Sequence, residues 1–210
     1  MNILFVGDVV GAPGRRALNE ALTGVIDRHK VDFTIVNIEN AAGGFGLTVE
    51  LFEDLSRMPI DVFSSGNHIW DKREIYDTLN SSDRLLRPAN YPPGNPGRGS
   101  TVQTTAAGIP VGVLSLQGQV FMPANADSPF RVADEELAKI DAKVVFVDFH
   151  AEATSEKMAL GWYLDGRVSA VVGTHTHVPT ADESIRPGGT GYLSDAGMTG
   201  AYEGVIGFSK

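Results

Sequence analysis

The 210-residue chain contains no cysteine, which excludes a disulfide framework, thiol catalysis and any thiolate-ligated zinc or iron–sulfur site. Basic side chains are scarce. Seventeen Lys and Arg stand against 26 Asp and Glu, a formal charge of −9. An extended nucleic-acid face rests on clustered Lys and Arg, so none is expected. The same argument leaves room for a small phosphorylated substrate bound at a metal. Long hydrophobic runs are missing too: no stretch approaches the ~18 consecutive apolar residues of a membrane-spanning helix. The N-terminal MNILFVGD has no basic lead and is interrupted at Asp8, unlike an export signal. No membrane association and a cytoplasmic location are the expectation. Glycine, by contrast, is plentiful. Its 24 residues are about 11% of the chain against ~7% on average, clustered in short loops between apolar runs. With 42% apolar and 20% charged residues, the chain is able to bury roughly 70% of its unfolded surface. A single domain spanning 1–210 is expected.

Short β-rich runs alternate with helical patterns. Ile3 to Val6 reads as a buried strand followed by a loop from Gly7 to Gly14. Ala17, Leu18, Ala21, Leu22, Val25 and Ile26 then recur as one face of a helix over Arg15–His29, with His29 favoured at its end by the dipole. Val31 to Ile38 is a second strand, and Thr48 caps a helix carrying Leu51, Phe52, Leu55 and Met58. Ile60 to Phe63 is a third strand. Asp71 with Glu74 three residues later resembles a capping box and predicts another helix. Pro88 to Gly99 is a Pro- and Gly-rich loop, and Thr101–Thr105 with Ile109–Leu116 reads as a hairpin. A charged helix over Asp134–Asp141, a strand ending at His150, a helix over Ser155–Leu164 and a strand over Val168–Val172 complete the pattern. It describes an α/β domain whose sheet is partly mixed.

The polar residues fall at the carboxyl ends of these strands: Asp8, Glu39-Asn40, Asn67-His68, His150 and His175-x-His177. Ligands of open α/β sheets bind outside the carboxyl ends of strands, so the five ends have one crevice available to them. In extended chain His175 and His177 would point to the same side. Carboxylates, imidazoles and an amide oxygen without sulfur suit Mn, Fe(II), Zn or similar divalent ions. Each residue alone has a plainer reading. Asp8 suits a turn or cap, Glu39-Asn40 the start of a glycine loop, Asn67 an Asx-turn, and His150 a hydrogen-bonded core histidine. Asp71 suits a helix cap, Asp165 before Gly166 a turn, and Asp195 a loop with no evident task. Joint position is what argues for a site.

The order Gly7-Asp8, Glu39-Asn40, Gly66-Asn67-His68, His150 and Gly173-Thr174-His175-Thr176-His177 resembles the calcineurin-like metallophosphoesterases. Three positions depart from that broad pattern: Val10 replaces a histidine, Glu39 stands where Asp is usual, and Ile69 follows His68 in place of an acid. Together with GDVVGAPGR, NIENAAGGFG, SSGNHIWDK, LLRPANYPPGNPGRG, FHAEATSEKMALGWYLDGRVSAVVGTHTHVPTADE and SDAGMTG, these departures are similar to the YmdB-like bacterial branch. The likeness runs from Met1 to about Gly207. Family members continue beyond the point where this chain ends at Lys210.

The resemblance implies an α/β sandwich of mixed sheets flanked by helices, and two divalent metal ions, iron first, with Mn, Zn or Mg as alternatives. One metal would take Asp8, Glu39, Asn40 and His177, and the other Glu39, Asn67, His150 and His175, with Glu39 bridging. Asn40 would compensate for the histidine missing at Val10, and His68 would stay off the metals as general acid. Two cations ~3.5–4 Å apart bind a hydroxide between them and hold phosphoryl oxygens opposite it; an imidazole titrating near neutrality then protonates the leaving oxygen. The implied reaction is hydrolysis of 2′,3′-cyclic nucleotides to 3′-nucleotides, with a small nucleotide as substrate and a homo-oligomer as assembly. Arg15, Lys72, Arg87 and Arg98 are candidates for phosphate contact. Two other readings remain open: a phosphatase or phosphodiesterase acting on another ester, and a metal-stabilised scaffold that binds RNA or protein with little turnover.

Overall fold

The computed structural model describes residues 1–123 and 125–208; Ala124 lies outside the described residues, as do Ser209 and Lys210 at the end of the expected 1–210 domain. Strands β1 (Ile3–Val6), β2 (Phe33–Asn37) and β3 (Val62–Ser64) form a parallel sheet with β2 in the middle. The second sheet contains β4 (Ser100–Thr104), β5 (Pro110–Gln117), β6 (Val144–His150), β7 (Ala170–Thr174), β8 (Ser184–Ile185) and β9 (Gly191–Leu193), in the order β4-β5-β6-β7-β9-β8. Its four central strands are parallel, and β4 and β8 pair antiparallel at the two edges. The β4–β5 hairpin and the mixed sheet therefore match expectation. Helices α1 (Gly11–His29) and α2 (Val49–Leu55) cover the first sheet, while α4 (Pro129–Leu137) and α5 (Thr154–Tyr163) cover the second; α3 (Tyr76–Ser81) follows β3.

Side-chain alternation along the strands builds this four-layer arrangement. In β2, Phe33 and Ile35 face the second sheet and pack with Val62, Leu86, Val111, Val113 and Phe146. Val36 faces the other way, onto Leu18, Leu22 and Phe52 of the helices. Because a strand has a two-residue period, one apolar run feeds two cores. A third core joins Leu114, Val147 and Val171 to Val132 and Leu160.

Several boundaries differ from the sequence reading: β7, expected over Val168–Val172, runs from Ala170 to Thr174, and β2 is shorter than Val31–Ile38. Helix α1 starts at Gly11 rather than Arg15, because Pro13 sits in the first turn, where its missing N–H costs no hydrogen bond. Helix α4 starts at Pro129 for the same reason and ends at Leu137, well before Asp141. The capping box at Asp71 does not form. Two 3₁₀ segments, Asn67–Asp71 and Arg73–Ile75, precede α3, and the Asp71 carboxylate meets an imidazole instead. Strands β8 and β9 are too short to show periodicity in the sequence. Thr48 does cap α2, its hydroxyl accepting from the Leu51 amide at 3.2 Å. Among the described residues no helix is long and apolar enough to cross a membrane.

Candidate metal centre

Every strand end named from the sequence reaches one crevice. Asp8 follows β1, Glu39 and Asn40 follow β2, Asn67 and His68 follow β3, His150 closes β6, and His175 and His177 follow β7. Ligand atoms of Asp8, Glu39 and His150 all lie within 4.8 Å of one another, and all three residues are buried. The Nε2 atom of His150 is 3.0 Å from Glu39 Oε1, 3.1 Å from Asn67 Oδ1 and 3.1 Å from His175 Nδ1. Asn40 Nδ2 is 3.2 Å from both Glu39 Oε1 and His177 Nε2. All seven residues expected as ligands therefore form one contiguous cluster. Gly66 makes the approach possible: a Cβ there would lie 2.1 Å from the His150 ring.

His68 stands beside this cluster. Its amide donates to Glu39 Oε2 at 3.0 Å, while its ring turns away and meets Asp71 Oδ2 at 2.8 Å through Nδ1. Residue 69, where the broad family pattern has an acid, is a buried isoleucine; the carboxylate that holds the ring comes from Asp71. With Nδ1 engaged by Asp71, Nε2 is the ring nitrogen left for other partners, and His68 borders the crevice.

Burial governs the electrostatics. It pushes the Asp8 carboxyl up to about 8, against the opposing pull of His150. Glu39 is equally buried, but the charge and hydrogen bond of His150 outweigh desolvation and bring it down to about 2. Burial would lower His150, yet the facing carboxylates of Glu39 and Asp8 raise it to about 9. Burial and the neighbouring His150 together depress His175 to about 3. In the metal-free chain the His150 proton thus supplies the positive charge between the carboxylates.

The residues fit a cation. Asp8 Oδ1 and Asn40 Oδ1 are buried with no hydrogen-bond partner, an arrangement that costs about 1–3 kcal/mol per orphaned atom unless something occupies the space between them. Three acceptor or ring atoms also converge on one His150 nitrogen, which carries at most one proton. The far side of that ring is oriented from within the sheets: His150 Nδ1 is 2.9 Å from Thr174 Oγ1, which donates to Asp148 Oδ1 at 2.8 Å. Asp148 is further held by Ser64 Oγ at 2.5 Å and Asn37 Nδ2 at 3.0 Å. With a cation bound in place of the Nε2 proton, these hydrogen bonds would keep the remaining proton on Nδ1 and leave the Nε2 lone pair to the cluster, the usual support of a metal-binding histidine.

The loop after β7 is not extended, contrary to the spacing argument. His175 and His177 have φ of 107° and 64°, left-handed values that β-carbon sterics disfavour outside glycine. Both rings still reach the crevice, because the turn is held from both sides. The His175 amide donates to Asp8 Oδ2 at 3.0 Å. Between the two histidines, Thr176 donates to Asp195 Oδ2 through its amide at 3.2 Å and its hydroxyl at 2.9 Å. Asp195 also pairs with buried Lys157 at 2.6 Å and accepts from the Gly197 amide at 2.8 Å. Asp195 thus has a task that its sequence position did not disclose.

A family model described as YmdB-like protein matches residues 4–210. The chain belongs to the YmdB-like family. It is 51% identical over 212 residues to the 2′,3′-cyclic-nucleotide 2′-phosphodiesterase of Bacillus subtilis, covering all of this chain and 80% of that relative. A crystal structure of a protein of Thermus thermophilus, described as hypothetical, superposes with a TM-score of 0.93 at 47% identity, over 100% of this chain and 81% of that one. A second, described as a novel phosphatase from Mycoplasma pneumoniae, gives a TM-score of 0.91 at 35% identity over 99% and 75%. The two packed sheets with their flanking helices are the calcineurin-like sandwich that the motifs implied.

In this YmdB-like chain the cluster opens into a cavity of about 460 Å³ lined by Glu39, Asn40, Phe45, His68, Glu152 and His175, among others. Glu152, which the sequence reading passed over, lies 3.3 Å from His175 Nε2. None of the four basic candidates lines it. Arg15 donates to the Ala41 carbonyl and Arg87 to the carbonyls of Pro88 and Ala89.

Proposed function

We propose that this protein is a metal-dependent phosphodiesterase that hydrolyses 2′,3′-cyclic nucleotides to 3′-nucleotides. The observation that carries the reading is the pair of partnerless buried oxygens, Asp8 Oδ1 and Asn40 Oδ1, set among carboxylates and imidazoles at five strand ends. The 2′,3′-cyclic-nucleotide 2′-phosphodiesterase activity of the B. subtilis relative, 51% identical over the whole of this chain, supports the substrate class.

On this reading Asp8, Glu39, Asn40 and His177 would hold one divalent cation, and Glu39, Asn67, His150 and His175 would hold a second. When bound, two such ions neutralise phosphoryl oxygens and lower the pKa of water toward neutrality. The chain's own residues do the rest. Glu39 spans both groups of ligands and anchors the His68 amide, so ligand and proton donor keep a fixed spacing. Asp71 orients His68 through Nδ1, leaving Nε2–H to protonate the departing ribose 2′ oxygen. Among the described residues no Arg or Lys lines the cavity, so charge stabilisation would fall to the cations. The same reading takes iron as the native metal, residues 1–210 as one catalytic domain, the cytoplasm as its location and a homo-oligomer as its assembly.

The test is product analysis on a sample whose metals have been counted. Two divalent ions per chain are expected, with hydrolysis of 2′,3′-cyclic AMP well ahead of 3′,5′-cyclic AMP and with 3′-AMP as product. Release of 2′-AMP as the main product would contradict the assigned bond, and one ion in a saturated sample would contradict the paired site.

A further inference from the structure

The cavity wall has two characters. Glu39, Asn40, Glu152 and the histidines are polar, whereas Phe45, Val178, Ile206 and Phe208 are apolar. Phe45 is 46% exposed and Val178 and Ile206 more so. Phe45 belongs to the glycine loop noted in the sequence, Ala41 to Gly46, which has no part in metal binding beyond its start. Gly44 and Gly46 flank the ring with φ of 101° and 78°, conformations that glycine adopts without a Cβ penalty. The loop therefore bends the backbone on both sides of one exposed phenyl group. That ring is also fixed in place. It stacks on Phe208 at 5.3 Å between centroids with 27° between planes, and meets the His68 ring edge-on at 5.0 Å.

A rigid, half-exposed aromatic surface beside the proton donor suits a flat occupant. The apolar side chains of Phe45, Val178, Ile206 and Phe208 on this part of the wall suit a neutral group, and the metal-ligand residues suit an anionic one. We propose that Phe45, backed by Phe208, is the stacking surface for the nucleobase, so that the site takes nucleoside cyclic phosphates in preference to cyclic phosphodiesters without a base. The proposal rests on the phosphodiesterase reading for the phosphate end alone. A volume of about 460 Å³ lies within the ordinary range for pockets that take small ligands. Stacking tolerates any base, because every base offers a π-face; larger purines gain more than pyrimidines. If Phe45 and Phe208 served only to fasten the loop to the segment that ends at Phe208, substitution would shift stability without altering selectivity.

Metal-loaded wild type, Phe45→Ala, Phe45→Leu and Phe45→Trp are compared on 2′,3′-cyclic AMP and on ethylene phosphate, a five-membered cyclic phosphodiester without a base. Calorimetry on the same proteins measures binding of 3′-AMP and of inorganic phosphate, and melting temperatures show that each variant is folded. Alanine and leucine should each lower the ratio of kcat/KM for cyclic AMP to that for ethylene phosphate about tenfold, through KM. The affinity for 3′-AMP relative to phosphate should fall by a similar factor, and Trp should keep both ratios. Unchanged ratios in folded variants, or a wild type that binds 3′-AMP no better than phosphate, would overturn the proposal. A wild type that hydrolyses neither ester would sink the phosphodiesterase reading, while the binding comparison would still decide the base surface.

Discussion

Removing the metals should make the fold alkali-sensitive, and His150 sets the scale. Its imidazole, pushed up from 6.5 to about 9 by the facing carboxylates, carries the positive charge between Asp8 and Glu39. A base whose pKa is raised on folding contributes stability that is whole below 6.5 and disappears as pH climbs through about 9. At about 1.4 kcal/mol per pH unit, that window is worth about 3 kcal/mol. Asp8 works in the same direction. Burial keeps it protonated up to about 8 whereas the unfolded carboxyl is ionised above 3.8, so stability falls with rising pH up to about 8 and is level beyond it. Glu39 and His175 are lowered to about 2 and about 3; their contributions change only below 4.5 and 6.5 and are flat in this range. For a chain of this length that loss corresponds to a melting shift of roughly 6–12 °C. Scanning calorimetry in chelator at pH 6.5, 7.5 and 9 should show that fall. With saturating Mn²⁺ the cation replaces the proton, so the gap between loaded and chelated protein should widen with pH. A chelated protein whose melting temperature stays level or rises between pH 6.5 and 9 would refute the assignment of charge to His150.

The remaining expectations concern single residues. His68→Ala should retain its metals and lose about 10²–10⁴-fold in kcat on cyclic AMP. The loss should be smaller on a nitrophenyl phosphodiester, whose leaving group needs no proton; equal losses would remove the acid role. If the site holds two ions as proposed, Glu39→Gln should reduce the occupancy of both together, measured by elemental analysis against wild type. Thr174→Val breaks the link from Asp148 to His150 and should weaken metal retention by about 10–100-fold, read by chelator competition. Asp195→Asn leaves the Lys157 ammonium buried without its counter-charge and should cost about 3–5 kcal/mol, seen in denaturant melts. A loss below about 1 kcal/mol would show that Lys157 finds water or another partner.

The groups expected as ligands were legible in the sequence because they lie where the chain leaves a sheet. An apolar run that ends abruptly in Asp, Asn or His marks both a strand and its carboxyl end, and parallel strands bring such ends together. Residues that orient the ligands left no comparable mark. Asp148 occupies an apolar strand and resembles an occasional outward-facing polar residue, yet it is wholly buried between Ser64, Asn37 and Thr174. Its partners lie 84, 111 and 26 positions away, so local periodicity is silent about them. Asp195 met the same obstacle, since its partner Lys157 lies in a helix 38 residues earlier. Asp71 failed for the opposite reason: a local capping pattern was present, but its carboxylate meets the His68 ring three residues back instead. The division into two sheets was carried by the family resemblance and not by the strands themselves, because a hydrophobic strand reads alike whichever layer it joins. Buried carboxylates inside apolar strands therefore call for partners somewhere in the fold, since leaving them unpaired would cost several kcal/mol. Applied to Asp148 before any pairing is known, that rule predicts a buried hydrogen-bonded network near His150 and says nothing about its members. Their identities follow only once β3, β6 and β7 are assembled.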